Sequence, residues 1–319
     1  LLGKVSRFAD IFEYIMQIAK QQPITLFIDE FQEFLRINAS IYSDMQRIWD
    51  LHKNEVHINL IVGGSVQSLI HKIFESNKEP LYNRQTAIIR VNKFPPSVLK
   101  EILAYHNPNY TQDDLLALYS FTGGVAKYVE LLMDKGATTR SKMIETIVQA
   151  DSIFLSEGKN LLIEEFGKDY GIYFSILTAI ASGHTQRSQI EDMIGKEIGG
   201  YLTMLEDSYG IIHKHKPLFT TKNSNIHYRL NDNFLTFWFR FLFRYNHMLE
   251  IEAFDALRQI IERDYETFSG KMLEQYFKEK LAEQQQFTRI DSWWSRNGES
   301  EIDVIAINEI SKEAIFFEV

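Results

Sequence analysis

The sequence predicts a multidomain α/β chain: a parallel sheet, a run of short helices, a small helical module closed by a hairpin, and a second α/β unit. Three observations predict it. Pro23-Ile24-Thr25-Leu26-Phe27-Ile28 is an unbroken apolar run ending on Asp29-Glu30, the pattern of a strand buried on both faces whose C-terminal end opens into a cleft. From Pro95-Pro96 onward the pattern turns helical. Beyond Phe287, strand-like runs return.

Composition bounds the function. With 319 residues, 45% hydrophobic and 24% charged, the chain has material for two or three cored domains. A formal net charge of −9 gives no global basic field, so any DNA contact has to come from a local patch. Cysteine is absent, which excludes disulfides, thiolate metal sites and Cys nucleophiles and suits a reducing compartment. No signal peptide is visible, and the most apolar stretch, Phe234 to Tyr245, is too short to span a bilayer and carries Arg240 and Arg244. A cytoplasmic protein with no membrane partner is expected.

Taken in order, Phe8, Ile11, Phe12, Ile15 and Ile18, preceded by Val5, line one face of a helix over 1–20 that covers the Ile24 to Ile28 strand. The acids that follow resemble the Walker B element of P-loop NTPases, where the first (Asp29) holds the Mg²⁺ hydration shell and the second (Glu30) polarises the attacking water. A helix over Ile41 to His52 and a strand over Ile58 to Val62 complete a βαβ unit, which places Ser65 at a strand tip as γ-phosphate sensor or, equally, as a cap for the helix at Val66 to Phe74. Arg84 precedes a further strand, Ile88 to Val91, and reads either as an arginine finger or as a salt-bridged loop residue.

Helices follow over Ser97 to His106, Thr111 to Ser120, Gly124 to Asp134 and Arg140 to Ala150, the second opened by an acidic capping box, Thr111 with Asp114. Gly123-Gly124 would let a helix N-terminus approach a nucleotide, with Lys127 reaching its phosphates or standing as a surface lysine. The polar Glu157-Gly158-Lys159-Asn160 stretch marks a boundary. Helices at Ile172 to Ser182, Arg187 to Ile194 and Ile198 to Asp207, then a hairpin of Ile211 to Lys216 with Ile226 to Leu230, read as a winged helix. Its recognition position is acidic (Glu197, Glu206, Asp207), and only the wing is basic, through His213, Lys214, His215, Lys216 and Lys222. Phe234 to Phe243 is aromatic on every side, hence internal, and its arginines at i and i+4 are expected to pair with acids.

The last segment sets Glu274 on a helix over Phe268 to Leu281. Two strands follow, Phe287 to Trp294 and Glu301 to Ile307, with Asn297-Gly298 at the turn, and then a third from Ala314 to Val319. Asp303 and Glu318, acids inside apolar strands, converge with Glu274 on a divalent metal or else belong to a solvent-facing edge on which Glu301 and Asp303 share a face.

The order of parts is similar to a prokaryotic family of archaeal-type AAA/STAND-related P-loop ATPases with a lid, a winged helix and a C-terminal nuclease-like domain of the PD-(D/E)XK superfamily. Leu26-Phe27-Ile28-Asp29-Glu30-Phe31, Leu81-Tyr82-Asn83-Arg84, Phe121-Thr122-Gly123-Gly124, Tyr228 to Phe241 and Glu301-Ile302-Asp303-Val304 with Phe317-Glu318-Val319 carry the resemblance. It implies domains at 1–94, 95–160, 161–233 and 234–319, ATP and Mg²⁺ as cofactors, and ATP hydrolysis that drives a switch or motor. The metal ligands would be Asp29, Asp303 and Glu318, with Asp29 and Lys127 on the nucleotide. Glu30, Arg84, Ser65, Glu274, Asp303 and Glu318 would be catalytic. The family's glycine-lysine phosphate loop is absent from these residues and the nuclease motif's lysine would follow Val319, so a fragment is expected. Two alternatives stand beside the ATPase reading: a metal-dependent DNA nuclease with a regulatory or degenerate ATPase domain, and a non-enzymatic winged-helix regulator that binds DNA through its wing. A homo-oligomer would let Arg84 act in trans.

Overall fold

A computed structural model describes residues 7–166, 170–220, 226–295 and 299–319, the side chains of Gln67 and Glu164 excepted. The expected Val5 position, Lys222 of the wing and the Asn297-Gly298 turn lie outside the described residues. The chain forms two compact units, Leu1–Arg90 and Val91–Val319.

In the first unit, α1 (Phe8–Ala19) precedes β1 (Ile24–Ile28). A 3₁₀ turn (Phe31–Glu33), α2 (Phe34–Asn38) and α3 (Ser40–His52) lead to β2 (Ile58–Val62), and α4 (Gln67–Glu75) follows. Strands β1 and β2 pair in parallel with Leu26 beside Leu60 and Ile28 beside Val62. The alternating side chains Leu26, Ile28, Ile58, Leu60 and Val62 pack on a core of Phe12, Met16, Tyr42, Met45 and Ile48 from α1 and α3. The opposite face is open, with Phe27 58% and Ile61 41% exposed, so β1 is buried on one face and not on both as its apolar run implies. The strand expected over Ile88 to Val91 does not form: these residues carry no regular structure, and Val91 is 96% exposed. No described strand pairs with the segment, and a strand without a ladder partner leaves its backbone groups to water.

The second unit opens with α5 (Pro96–His106), α6 (Gln112–Thr122), α7 (Ala126–Asp134), α8 (Arg140–Ile147) and α9 (Phe154–Phe166). Thr111 caps α6 as expected: its Oγ1 accepts the Asp114 N–H at 3.1 Å while the Asp114 carboxylate accepts the Thr111 N–H at 2.9 Å. Glu157 to Asn160 is helix, within α9, and not a boundary. Gly158 is small there because the Trp238 indole lies against it; a Cβ would sit 2.3 Å from the ring. The Gly123-Gly124 turn also serves packing. Gly124, at φ +76, brings its backbone onto Phe94, whose N–H donates to the Gly124 carbonyl at 2.7 Å.

Next come α10 (Tyr170–Ala181), α11 (Arg187–Ile194) and α12 (Gly199–Thr203), the last running on as a π-helical turn to Ser208, and the antiparallel pair β3 (Ile212–His215) and β4 (His227–Leu230). The aromatic segment is helical, α13 (Asn233–Phe237) continuing as a π-turn over Trp238–Phe243, with Phe237, Phe239 and Phe241 wholly buried. Its arginines take no acid partner at ion-pair distance among the described residues; Arg244 reaches Ser182 Oγ at 3.4 Å and stacks near Tyr245, and Arg240 near Phe241. After α14 (Asn246–Glu250), the long α15 (Phe254–Glu283) packs on the antiparallel sheet β5 (Arg289–Trp294), β6 (Glu301–Asn308) and β7 (Glu313–Phe317), ordered β5-β6-β7. The register of β5 on β6 slips between Asp291 and Trp293, a bulge at Ser292.

Candidate functional site

In the first unit, Asp29 and Glu30 leave the C-terminal end of β1, and Gly63 through Ser65 leave that of β2 beside it. Glu30 adopts a left-handed backbone (φ 47, ψ 46), uncommon for a residue with a Cβ, and this turns the chain sharply into Phe31. The Phe31 N–H then donates to the Gly63 carbonyl at 2.9 Å, which ties the two strand ends together. Ser65 Oγ donates to Glu30 Oε2 at 2.9 Å, and Gln32 Nε2 donates to the same oxygen. Of the two roles read from sequence for Ser65, the cap is not made: α4 has Val66 at its N-cap and no side-chain cap. The hydrogen bonds from Gln32, then Ser65, hold the Glu30 carboxyl below its usual range. Asp29 Oδ1 accepts the Glu30 N–H at 2.9 Å.

Arg84 is engaged locally. It forms a fork on Asp50, with Nη2 at 2.8 Å from Oδ2, and Nη1 donates to the carbonyls of Pro80 and Tyr82. In the second unit, Lys127 Nζ lies 2.8 Å from Glu157, which also accepts from the Tyr128 hydroxyl at 3.2 Å.

The second unit brings another set of acids together. Glu274 on α15 and Glu301 and Asp303 on β6 offer ligand oxygens that all lie within 4.8 Å of one another. Burial raises the Glu274 carboxyl above its usual range. Glu318 is outside this group; it follows β7, next to Val319, whose N–H donates to Asp303 Oδ2 at 2.9 Å. The three acids border a cavity of about 610 Å³ shared with Arg229, Lys271, His215, His227 and Trp294. Arg229 Nη2 stands 3.9 Å from Glu274. The hairpin is held to the sheet at this place: Leu218 N–H donates to the Ser292 carbonyl at 2.9 Å, and His215 Nε2 lies 2.7 Å from Asp291 Oδ1. Lys278, 9% exposed, reaches Ser292 Oγ and lies 3.5 Å from Asp291. Burial lowers His215 to about 4, so the imidazole is neutral near pH 7 and its Nε2–H donates to Asp291.

Sequence reasoning missed Gln32 and Arg229, and it read Glu301 only on a candidate solvent edge and His215 only in the basic wing. Glu301 and Asp303 sharing a strand face was the available signal. Gln32 gave none, because it meets Glu30 through a left-handed turn that no periodicity encodes. The basic wing is largely satisfied within the molecule, since Lys214 pairs with Glu206 and His215 with Asp291.

No helix among the described residues is long and apolar enough to cross a membrane. Residues 238–319 match the DUF234 family, described as archaeal and bacterial proteins of unknown function. An uncharacterised protein of Methanocaldococcus jannaschii is 31% identical over 305 residues; the match covers 92% of this chain, and the chain spans 66% of that relative's length. A second uncharacterised protein of that organism is 32% identical over 56 residues, 18% of this chain and 54% of its own. Among solved structures, a Walker-type ATPase of Pyrococcus abyssi superimposes with a TM-score of 0.52 at 16% identity, over 74% of this chain and 69% of that one. The chain shares the fold of an archaeal Walker-type ATPase.

Proposed function

We propose that the protein binds ATP with Mg²⁺ at the strand tips of its first unit and hydrolyses it, as a nucleotide-driven switch for the modules of the second. The observation that carries this reading is Asp29-Glu30 at the end of a parallel strand, with Ser65 of the neighbouring strand tip 2.9 Å from Glu30, in a chain with a Walker-type ATPase fold. The donors fit a hard cation: Asp29 and Ser65 offer oxygens, and Gln32, 1% exposed, keeps a buried Oε1 without a partner beside them. Asp29 would hold Mg²⁺ through its water shell, and the ion supplies charge neutralisation on the phosphates. Glu30, kept ionised and aligned by Ser65 and Gln32, accepts a hydrogen bond from the attacking water. Arg84, fully engaged with Asp50 and two carbonyls, fixes its loop in this reading, and Lys127 fixes α7 to α9. The helices α5 to α9 act as lid, α10 to β4 as winged helix and the chain from α13 onward as a nuclease-like domain. The test is Mg²⁺-ATP affinity of the full-length protein. Glu30→Gln is expected to retain affinity and Asp29→Ala to lose about tenfold or more; tight binding that survives Asp29→Ala overturns the assignment.

The convergence of Glu274, Glu301 and Asp303 favours a second reading for the other unit, a divalent-cation site of a metal-dependent phosphodiesterase, with Glu318 close by through Val319. Mn²⁺ binding that Asp303→Asn abolishes and Asp29→Asn leaves intact is its test.

A further inference from the structure

The cavity beside these acids is built by several parts of the chain at once. The hairpin contributes His215 and His227, Tyr228 and Arg229; α15 contributes Lys271 and Glu274; β5 and β6 contribute Trp294, Glu301 and Asp303. We propose, extending the cation reading of this cluster, that the cavity binds one nucleotide-sized phosphate ester together with a divalent cation. Glu274, Glu301 and Asp303 hold the cation, and Arg229 and Lys271 hold the phosphate.

Two observations besides the carboxylates point to a ligand. His215 is 5% exposed and keeps its Nδ1 buried without a partner, while its Nε2 is committed to Asp291. Trp294, whose ring centroid lies 4.7 Å from that of His215, likewise has a buried indole N–H without a partner. Neutral Nδ1 is an acceptor and the indole N–H a donor, and neither finds a partner in the chain, so two residues that line the cavity carry unmet polar capacity of both kinds. The second observation is charge. Arg229 stands 3.9 Å from Glu274, and with Lys271 it sets cations beside the acids, the arrangement that receives a metal-bound phosphate.

Size separates a nucleotide from a duplex. A cavity of about 610 Å³ is within the roughly 300–1,000 Å³ of small-molecule sites. The hairpin forming part of it is tied down by Leu218 to Ser292, by His215 to Asp291, and by His215 and His227 against Trp294. With the hairpin tied down, the cavity keeps these walls, and its volume suits a ligand the size of a nucleotide.

The experiment is calorimetric titration of AMP into full-length protein carrying Asp29→Asn, which weakens the first unit's site, with and without Mn²⁺. Saturable AMP binding that needs Mn²⁺, falls about tenfold in Arg229→Gln and vanishes in Asp303→Asn is the expected result. A 5′-phosphorylated hexanucleotide that binds more tightly than AMP identifies a strand end as the source, and equal binding identifies the free nucleotide. Mn²⁺ binding without AMP binding overturns the proposal and leaves the cation reading standing; no Mn²⁺ binding overturns both. A blunt duplex that displaces AMP, or AMP binding that survives Asp303→Asn, also overturns it.

Discussion

Gly124→Ala distinguishes a packing role for the Gly123-Gly124 turn from a nucleotide-approach role. The new Cβ carries two costs. At φ +76 an L-residue is disfavoured by roughly 1 kcal/mol. The added atom also falls 2.3 Å from the Phe94 carbonyl oxygen, a backbone atom that cannot swing aside. Moving Phe94 costs about 1–3 kcal/mol as overpacking and strains its 2.7 Å hydrogen bond to Gly124, about 1 kcal/mol more. The sum is about 3–5 kcal/mol, and at about 2–4 °C per kcal/mol for a unit of this size the second unit melts about 10 °C lower. Gly136→Ala is the control. Gly136 is also left-handed, at φ +64, but a Cβ there meets nothing within 4 Å, so it carries the backbone cost alone, roughly 1 kcal/mol and a few degrees. Differential scanning calorimetry of the two variants reads the difference. Equal shifts would refute the seating of Phe94 on Gly124, and unchanged melting with lost ATP turnover would restore the nucleotide role.

The remaining predictions concern the two sites. His215 is lowered to about 4 by burial, against Asp291 and facing Arg229 and Lys278, so the unfolded chain binds the extra proton between about pH 6.5 and 4. The stability it contributes is full above pH 6.5 and declines as pH falls through that window, by about 2–3 kcal/mol; urea melts from pH 7.5 to 4.5 should show this fall, much reduced in His215→Asn. Ser65→Ala removes one of two donors to Glu30 and should lower ATP turnover about tenfold with little change in melting temperature. Arg84→Ala should lower stability by about 1 kcal/mol and Asp50→Asn comparably, with turnover per folded molecule retained in both; a turnover loss confined to Arg84→Ala would assign it to the phosphates.

What the sequence made legible was what depends on local pattern. The β1 and β2 strands, the Thr111 cap and the helical stretch from Phe268 to Leu281 follow from periodicity and capping chemistry, although α15 begins earlier, at Phe254. Burial on both faces of β1 did not follow, because an apolar run does not say which face is covered, and Phe27 and Ile61 are open. Ile88 to Val91 has strand composition but no ladder partner among the described strands. Glu157 to Asn160 has linker composition, yet Trp238, 80 residues on, needs the space that Gly158 leaves. The sites divide similarly. Asp29, Glu30, Glu274 and Asp303 were readable as acids at strand tips or beside apolar runs. Gln32, Arg229 and His215 enter through a left-handed turn and a hairpin docking, which only tertiary structure brings about.

Mg²⁺-dependent ATP hydrolysis by the full-length protein, wild type beside Glu30→Gln, tests the ATPase reading most directly. The predicted result is turnover in the wild type that falls at least about a hundredfold in the variant while ATP still binds. Equal turnover in both, or none in either with ATP unbound, would contradict a catalytic Glu30 at the β1 tip.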